Sequence, residues 1–174
     1  MPALTAPALV AASLLVVAGA AKVVDPAMTV GALRALGLPS TPVLVRAGAA
    51  AELVLGVWAI TIGGAAAWWL VAASYLAFAA FVVAALRAGS MVGSCGCFGR
   101  EDTPPHPVHV VLDLALAGVA GAAAVRGLDA PLDAVLDRPG QGAVVVVLSA
   151  VAVVALHAAF VHLPRALVRI RTPT

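Results

Sequence analysis

The sequence predicts an all-α fold: a polytopic membrane four-helix bundle with an additional fifth transmembrane helix. Of its 174 residues, 63% are apolar and 10% are charged, whereas soluble domains have about 45–50% apolar and about 25% charged residues. A chain of this composition cannot cover a water-facing surface, and it has too much apolar surface to stay disordered. The net charge of +2 includes no long basic run. We therefore expect the lipid bilayer, and no nucleic acid, as a partner.

Five apolar stretches are long enough to cross about 30 Å of hydrocarbon, which takes about 20 helical residues. The first covers residues 6–24 and stops at Asp25-Pro26, and the second covers 43–62 after a Gly- and Pro-containing turn. Gly63-Gly64 predicts a tight hairpin before the third stretch, at 65–86. The fourth, 108–125, follows a proline-rich segment, and the fifth, 143–163, follows a Pro-Gly segment.

The predicted organisation is a four-helix transmembrane domain at 1–126, a linker at 127–142 and an extra C-terminal transmembrane helix with a basic tail at 143–174. Within the linker, the pattern LDAPLDAVLD at 128–137 predicts an ordinary acidic connection, with a short interfacial helix as the alternative. The first stretch has a small-residue segment like a signal-peptide cleavage site. Because no positive charge precedes it and its apolar run is long, we expect it to be retained as a helix.

The distribution of Lys and Arg predicts the orientation of a multi-pass protein in the cell membrane. Arg126 and Arg138 lie on one side of the predicted spans, and the other side has the remaining basic residues, Lys22, Arg34, Arg46, Arg87, Arg100, Arg165, Arg169 and Arg171. This excess predicts an N-terminus outside, with the cysteine-containing loop and the C-terminus in the cytoplasm. On the opposite side, Trp58, Trp68 and Trp69 flank the hairpin, as in an aromatic belt.

Glu52 is the most informative carboxylate, because it lies inside an apolar span with Gly48 and Gly56 on the same helix face. Small residues allow a neighbouring helix to come close, so we expect the acid to point into the bundle. An ionisable group inside a membrane is costly and indicates either a functional site or a structural ion pair. Arg46 is not on the same face, so a residue of another helix, such as Lys22, is an equally good partner.

The two cysteines, Cys95 and Cys97, lie one residue apart in the glycine-rich segment GSCGCFG. Glycines leave the backbone free to bring the thiols together. A disulfide across a single residue would be strained and easily reduced, and it would close too short a loop to stabilise the fold much. We therefore expect a redox couple, with two reduced thiols in a turn as the alternative.

A metal site is a second interpretation of the same region. Cys95, Cys97, His106 and His109 would offer two thiolates and two imidazoles to zinc or copper. Their spacing differs from the usual zinc patterns, in which about two to four residues separate the cysteines. His106 also lies between two prolines, which is typical of a rigid entry to a helix.

Three segments resemble the MauE/DoxX-like membrane proteins. KVVDP at 22–26 is similar to their K-x-x-D-P, and ELVLG at 52–56 is similar to their E-x-x-x-G. CGCFG at 95–99, followed by His106-Pro107 and a helix with Asp113, resembles the MauE branch in particular. The resemblance extends from about residue 6 to 126, and CGCFG is its specific part.

The resemblance implies a redox-associated membrane bundle, because the MauE branch is implicated in maturing the disulfide-rich small subunit of methylamine dehydrogenase beside a thioredoxin-like protein. Cys95 and Cys97 would exchange electrons with a thioredoxin-like partner and with a disulfide-containing client. The chain would then be a thiol–disulfide oxidoreductase or an electron-transfer accessory protein. The supporting bundle residues would be Lys22, Asp25, Arg46, Glu52, His106 and Asp113.

Other functions remain open at this point. No cofactor is certain, and a quinone in the bilayer is an electron carrier that no sequence feature specifies. A metal-handling membrane protein and an assembly scaffold are the alternatives from other classes. Two features depart from the family pattern: the fifth helix has no assigned role, and the predicted cytoplasmic loop contrasts with maturation of a client outside the cell.

Overall fold

The computed structural model describes residues 3–89 and 104–171, and it is all-α in these ranges. Seven helices form there: α1 Thr5–Val24, α2 Ala27–Ala35, α3 Pro42–Thr61, α4 Ala65–Ala88, α5 Pro107–Val125, α6 Pro131–Leu136 and α7 Pro139–Arg171. Five are long and apolar enough to cross a membrane, namely α1, α3, α4, α5 and the part Pro139–Pro164 of α7. The predicted fold class and the five predicted spans are therefore confirmed.

The starts and ends of the spans follow from local chemistry. α3 begins after Thr41, whose hydroxyl oxygen accepts a hydrogen bond of 3.2 Å from the backbone N–H of Leu44. Pro42 occupies the first turn, where a missing N–H has no consequence. Gly63 and Gly64 make the turn to α4 with φ angles of 69° and 86°. Only glycine adopts this left-handed region without strain, so the hairpin stays tight.

The helices α1 and α3 run antiparallel and touch at two glycines. A methyl group at Gly19 would lie 2.7 Å from the carbonyl oxygen of Ala49, and one at Gly56 would lie 2.8 Å from the carbonyl oxygen of Ala12. The missing side chains let the two backbones meet. Gly48, which shares the face of Glu52, has nothing within 4 Å of the corresponding position. The close approach therefore depends on Gly19 and Gly56.

The carbonyl oxygen of Leu128 joins the hairpin between α3 and α4 to the end of α5. It accepts hydrogen bonds from the indole N–H of Trp68, at 2.8 Å, and from the backbone N–H of Gly64, at 3.0 Å. Trp68 is fully buried because its N–H finds this partner inside, whereas Trp69 is 54% exposed. The aromatic-belt prediction is therefore wrong for Trp68. Since α4 begins where α5 ends, the end of α4 and the start of α5 lie together at the opposite membrane face.

Three elements differ from the sequence expectation. α2 was not predicted: after the stop at Asp25-Pro26 the chain turns into a nine-residue helix, and a carboxylate oxygen of Asp25 accepts a 3.0 Å hydrogen bond from the N–H of Ala27. α6 forms inside the expected linker, as the short-helix alternative proposed. α7 already begins at Pro139, because a proline in the first turn needs no intrahelical donor.

Candidate functional site

An ion pair between Lys22 of α1 and Glu52 of α3 lies inside the apolar bundle. The side chains are only 7% and 18% exposed, respectively. The Cα–Cβ bond of a helical residue tilts towards the helix N-terminus. Lys22, near the end of α1, therefore points inward, and Glu52 on the antiparallel α3 leans back to meet it. Of the two partners that the sequence left open for Glu52, the structure selects Lys22.

Two aromatic residues of α4 surround this pair. The ammonium of Lys22 lies over the Phe78 ring, 4.7 Å from its centroid, so the ring quadrupole also favours the charge. Phe78 packs edge-on against Tyr75, with ring centroids 5.9 Å apart. The hydroxyl of Tyr75 donates a buried 2.6 Å hydrogen bond to the carbonyl oxygen of Ala11. The hydroxyl of Tyr75 therefore uses its only proton in this hydrogen bond to α1.

Sequence reasoning missed Tyr75 and Phe78. Tyr75 is the only tyrosine of the chain, and a lone tyrosine in an apolar span is a usable signal, because a buried hydroxyl needs a partner. Phe78 carried no such signal, since a phenylalanine in a membrane helix is as often lipid-facing as buried.

Asp113 of α5 is the second carboxyl group of the interior and is 3% exposed. It lines a cavity of about 30 Å³ together with Lys22, Tyr75, Phe78 and Phe160. Its Oδ2 atom has no hydrogen-bond partner among the residues described here. One ammonium and two carboxyl groups therefore share the interior near one membrane face.

Lys22 and Phe78 also line a second space, a groove of about 280 Å³ between α2, α3 and α4. Glu52 is among the residues that line this groove, and Phe81 and Leu33 contribute apolar side chains to its walls. Lys22 thus lines both the groove and the small cavity beside Asp113.

His106 and His109 organise the start of α5. Nδ1 of His106 accepts a hydrogen bond of 3.2 Å from the N–H of Val108, and the N–H of His106 donates one of 3.2 Å to Nδ1 of His109. Because Nδ1 of His109 accepts, its proton is on Nε2, which donates to the carbonyl oxygen of Phe160 at 2.9 Å. The helix-entry interpretation of His106 is confirmed.

The bond to Phe160 explains how α7 is attached. Residue 164, four positions later, is a proline within α7 and has no N–H to donate to that carbonyl. His109 supplies a donor from α5 instead, and its ring stacks on Phe160 with centroids 5.8 Å apart. Phe160 belongs to the same buried core as α1, α4 and α5. The fifth membrane helix is therefore packed into the bundle.

This arrangement bears on the metal interpretation. Both ring nitrogens of His109 are engaged in hydrogen bonds, so coordinating a metal ion would break one of them. Within residues 3–89 and 104–171, no group of three or more His, Cys, Asp or Glu side chains is placed to hold a metal ion. Cys95 and Cys97 lie outside the described residues, and so does any geometry between them and the histidines.

Asp25 and Arg46 lie closer to the membrane face than the buried cluster. Asp25 starts α2, as described above, and the exposed Arg46 donates a 3.1 Å hydrogen bond from Nε to the carbonyl oxygen of Val23. Both side chains fix the connection from α1 to its neighbours. Of the predicted supporting residues, the structure thus brings together Lys22, Glu52 and Asp113, and leaves Asp25, Arg46 and His106 at helix ends.

Comparison with known proteins gives one match. A family model described as the methylamine utilisation protein MauE matches residues 1–126, which include the whole buried cluster. No curated protein and no solved structure matches the chain.

Proposed function

Because this chain belongs to the MauE family of methylamine utilisation proteins, we propose that it is an integral membrane thiol–disulfide redox protein. In this proposal it supports disulfide formation or maturation of a partner protein, with Cys95 and Cys97 as its reactive pair. The observation that carries the proposal is the buried cluster of Lys22, Glu52 and Asp113, on the side of the bundle where α4 ends and α5 begins.

Chain length supports a connection between the cysteines and this cluster. Cys95 follows the last described residue of the α4 side, Gly89, by six positions. In the sequence, both cysteines therefore belong to the segment that connects the end of α4 to the start of α5. A redox-active pair tethered there would work at the same membrane face as the buried ionisable groups.

Thiol–disulfide exchange with a partner can run in either direction. The thiolate of one cysteine attacks a partner disulfide and forms a mixed disulfide, and one partner thiolate leaves. The second cysteine then attacks the mixed disulfide, so this chain ends with a disulfide and the partner with two thiols. The reverse sequence oxidises the partner. A thioredoxin-like protein is the proposed partner, because its own dithiol undergoes the same chemistry.

A bilayer quinone remains a second proposed electron carrier. The groove between α2, α3 and α4 would give a quinone ring apolar walls at Phe78 and Phe81, and the ammonium of Lys22 would donate to a ring carbonyl. A quinone there would accept two electrons and two protons.

The proposed orientation keeps the cysteine segment in the cytoplasm. Lys22 is paired inside the bundle, so it does not contribute to the surface count of basic residues. Even without Lys22, the side of Arg46 and Arg87 keeps most of the positive charge, which supports the same orientation.

The test is thiol labelling in intact cells with a membrane-impermeant reagent, with and without prior reduction. Because the proposed orientation places the cysteine segment in the cytoplasm, we expect two thiols to react only after reduction and only once the cells are permeabilised. We also expect purified protein to show a reversible two-thiol transition with a defined midpoint potential. Cys95→Ser and Cys97→Ser should each abolish maturation of the client, whereas Ser94→Ala, in the same segment, should not. Thiols that stay free at every accessible potential would refute the proposal.

The same variants separate the alternatives. A metal-handling protein would bind zinc or copper stoichiometrically and lose the ion in His109→Ala. An assembly scaffold would retain its function in Cys95→Ser and Cys97→Ser. Either result would replace the redox proposal.

A further inference from the structure

The buried cluster contains one more carboxyl group than it contains cations. Lys22 provides the positive charge, and Glu52 and Asp113 provide two acidic groups. Asp113 is 3% exposed, and one of its oxygens has no partner in the described part of the chain. With both carboxyl groups ionised, the membrane interior would hold a net negative charge, which is strongly disfavoured in a medium of low dielectric constant.

The described groups around Asp113 supply no positive charge beyond that of Lys22. On α1, Lys22 is paired with Glu52 of α3, and on α4 the hydroxyl proton of Tyr75 is donated to Ala11. On α5 itself, His109 is neutral, because its Nδ1 accepts a hydrogen bond and its only ring proton goes to α7.

From α7, Phe160 lines the cavity, and the ionisable residue one turn earlier, His157, is half-buried and not part of the lining.

We propose that the cluster of Lys22, Glu52 and Asp113 binds one exchangeable proton, which is carried by Asp113. The protonated acid, the ammonium and the carboxylate together are electrically neutral. The proton replaces the missing second cation, and its uptake and release are a binding function of the bundle itself.

The two spaces beside Lys22 give this proton a route. A cavity of about 30 Å³ beside Asp113 exceeds the volume of about 10–15 Å³ that one water molecule needs. Lys22 borders both this cavity and the open groove that Glu52 lines. Water beside Asp113 can therefore pass a proton towards the Lys22–Glu52 pair and on to the groove.

The inference extends the proposed function without depending on it. Oxidation of two thiols to a disulfide by a quinone moves two electrons and two protons to the quinone. A buried acid near the same membrane face is suited to hold one of these protons in transit. The proton itself is detectable whether or not the cysteines react.

Infrared spectroscopy of the purified protein in lipid nanodiscs tests the proposal directly. The chain has eight Asp and Glu side chains, and at neutral pH we expect a single carboxylic-acid C=O band, from Asp113. The band should shift when D₂O replaces H₂O, because the proton exchanges. It should disappear in Asp113→Asn and also in Glu52→Gln, where Lys22 is left free to pair with an ionised Asp113. It should persist in the control variant Asp133→Asn, which removes an exposed acid of α6.

A second variant changes the charge count in the opposite direction. Lys22→Met removes the only cation, so Glu52 should also become protonated and the band area should rise about twofold. If Asp113→Asn does not fold, Asp113→Glu should shift the wild-type band without abolishing it. Replacing both cysteines by serine should leave the band unchanged, which separates this inference from the redox proposal.

Three outcomes would overturn the inference. The wild-type protein would lack a carboxylic-acid band at neutral pH, or the band would survive in Asp113→Asn, or it would not respond to D₂O. The first result would mean that Asp113 is ionised, the second that another carboxyl group carries the proton, and the third that the proton is locked in place.

Discussion

Replacing Lys22 by methionine tests how strongly the buried ion pair holds α1 against α3. Its side chain is 7% exposed and that of Glu52 is 18% exposed, so solvent screens the pair little. Removing one partner of such a pair costs about 3–5 kcal/mol of unfolding free energy, because the remaining carboxyl group must either stay charged without a partner or take up a proton. The lost contact with the Phe78 ring adds about 0.5–1 kcal/mol. We therefore expect Lys22→Met to be among the most destabilising single substitutions in the bundle.

The assay is reversible unfolding in mixed detergent micelles, followed by the far-ultraviolet circular dichroism of the helices. The control is Arg46→Met, which replaces an exposed basic residue of α3 and should lower the unfolding free energy by less than about 1 kcal/mol. The double variant Lys22→Met/Glu52→Met replaces both charges by apolar groups and should recover most of the loss. If the costs of the two single substitutions simply add, the pair does not stabilise the contact between α1 and α3.

Three further predictions use the same unfolding measurement. Gly19→Ala should lower the free energy of unfolding by about 1–3 kcal/mol, because its methyl group would meet the backbone of α3. Gly48→Ala should leave that free energy unchanged or raise it by up to about 1 kcal/mol through helix propensity. Equal effects of the two substitutions would contradict the packing described. Tyr75→Phe should cost about 1 kcal/mol through its hydrogen bond to α1, and unchanged stability would argue against that bond. His109→Ala should lower the free energy of unfolding by about 1–3 kcal/mol. The loss should be smaller in a Pro164→Ala background, where the N–H of residue 164 can donate to the carbonyl of Phe160. An equal loss in both backgrounds would show that His109 does not replace the missing N–H of Pro164.

Much of the membrane architecture could be predicted from the sequence, because a span is a local property. A run of about 20 apolar residues is needed to cross the hydrocarbon wherever it occurs in the chain. The same holds for the hairpin at Gly63-Gly64 and for the capping role of His106, which depend on near neighbours in the sequence. α2 escaped prediction because nine residues of mixed polarity carry no span signal.

The candidate site was only partly predictable. Glu52 stands out in an apolar helix, and its orientation into the bundle follows from the small residues beside it. Its choice of Lys22 over Arg46 depends on the register between α1 and α3, which Gly19 sets by backbone contact. Tyr75 and Phe160 join the same cavity from helices far away in the sequence, and no local pattern specifies that meeting.

For the fifth membrane helix, α7, the sequence predicts the span but not the contacts that hold it in the bundle. Its sequence predicts a span, and Pro164 predicts a missing hydrogen bond at Phe160. Only the packed bundle shows that the imidazole of His109 donates there, since this bond joins residues 51 positions apart. By itself, the sequence determined which segments enter the membrane and which few ionisable groups enter with them, because the hydrophobic free energy of a span is summed residue by residue. The tertiary structure decided which of those groups meet, because the partners of a buried charge are set by helix register and packing.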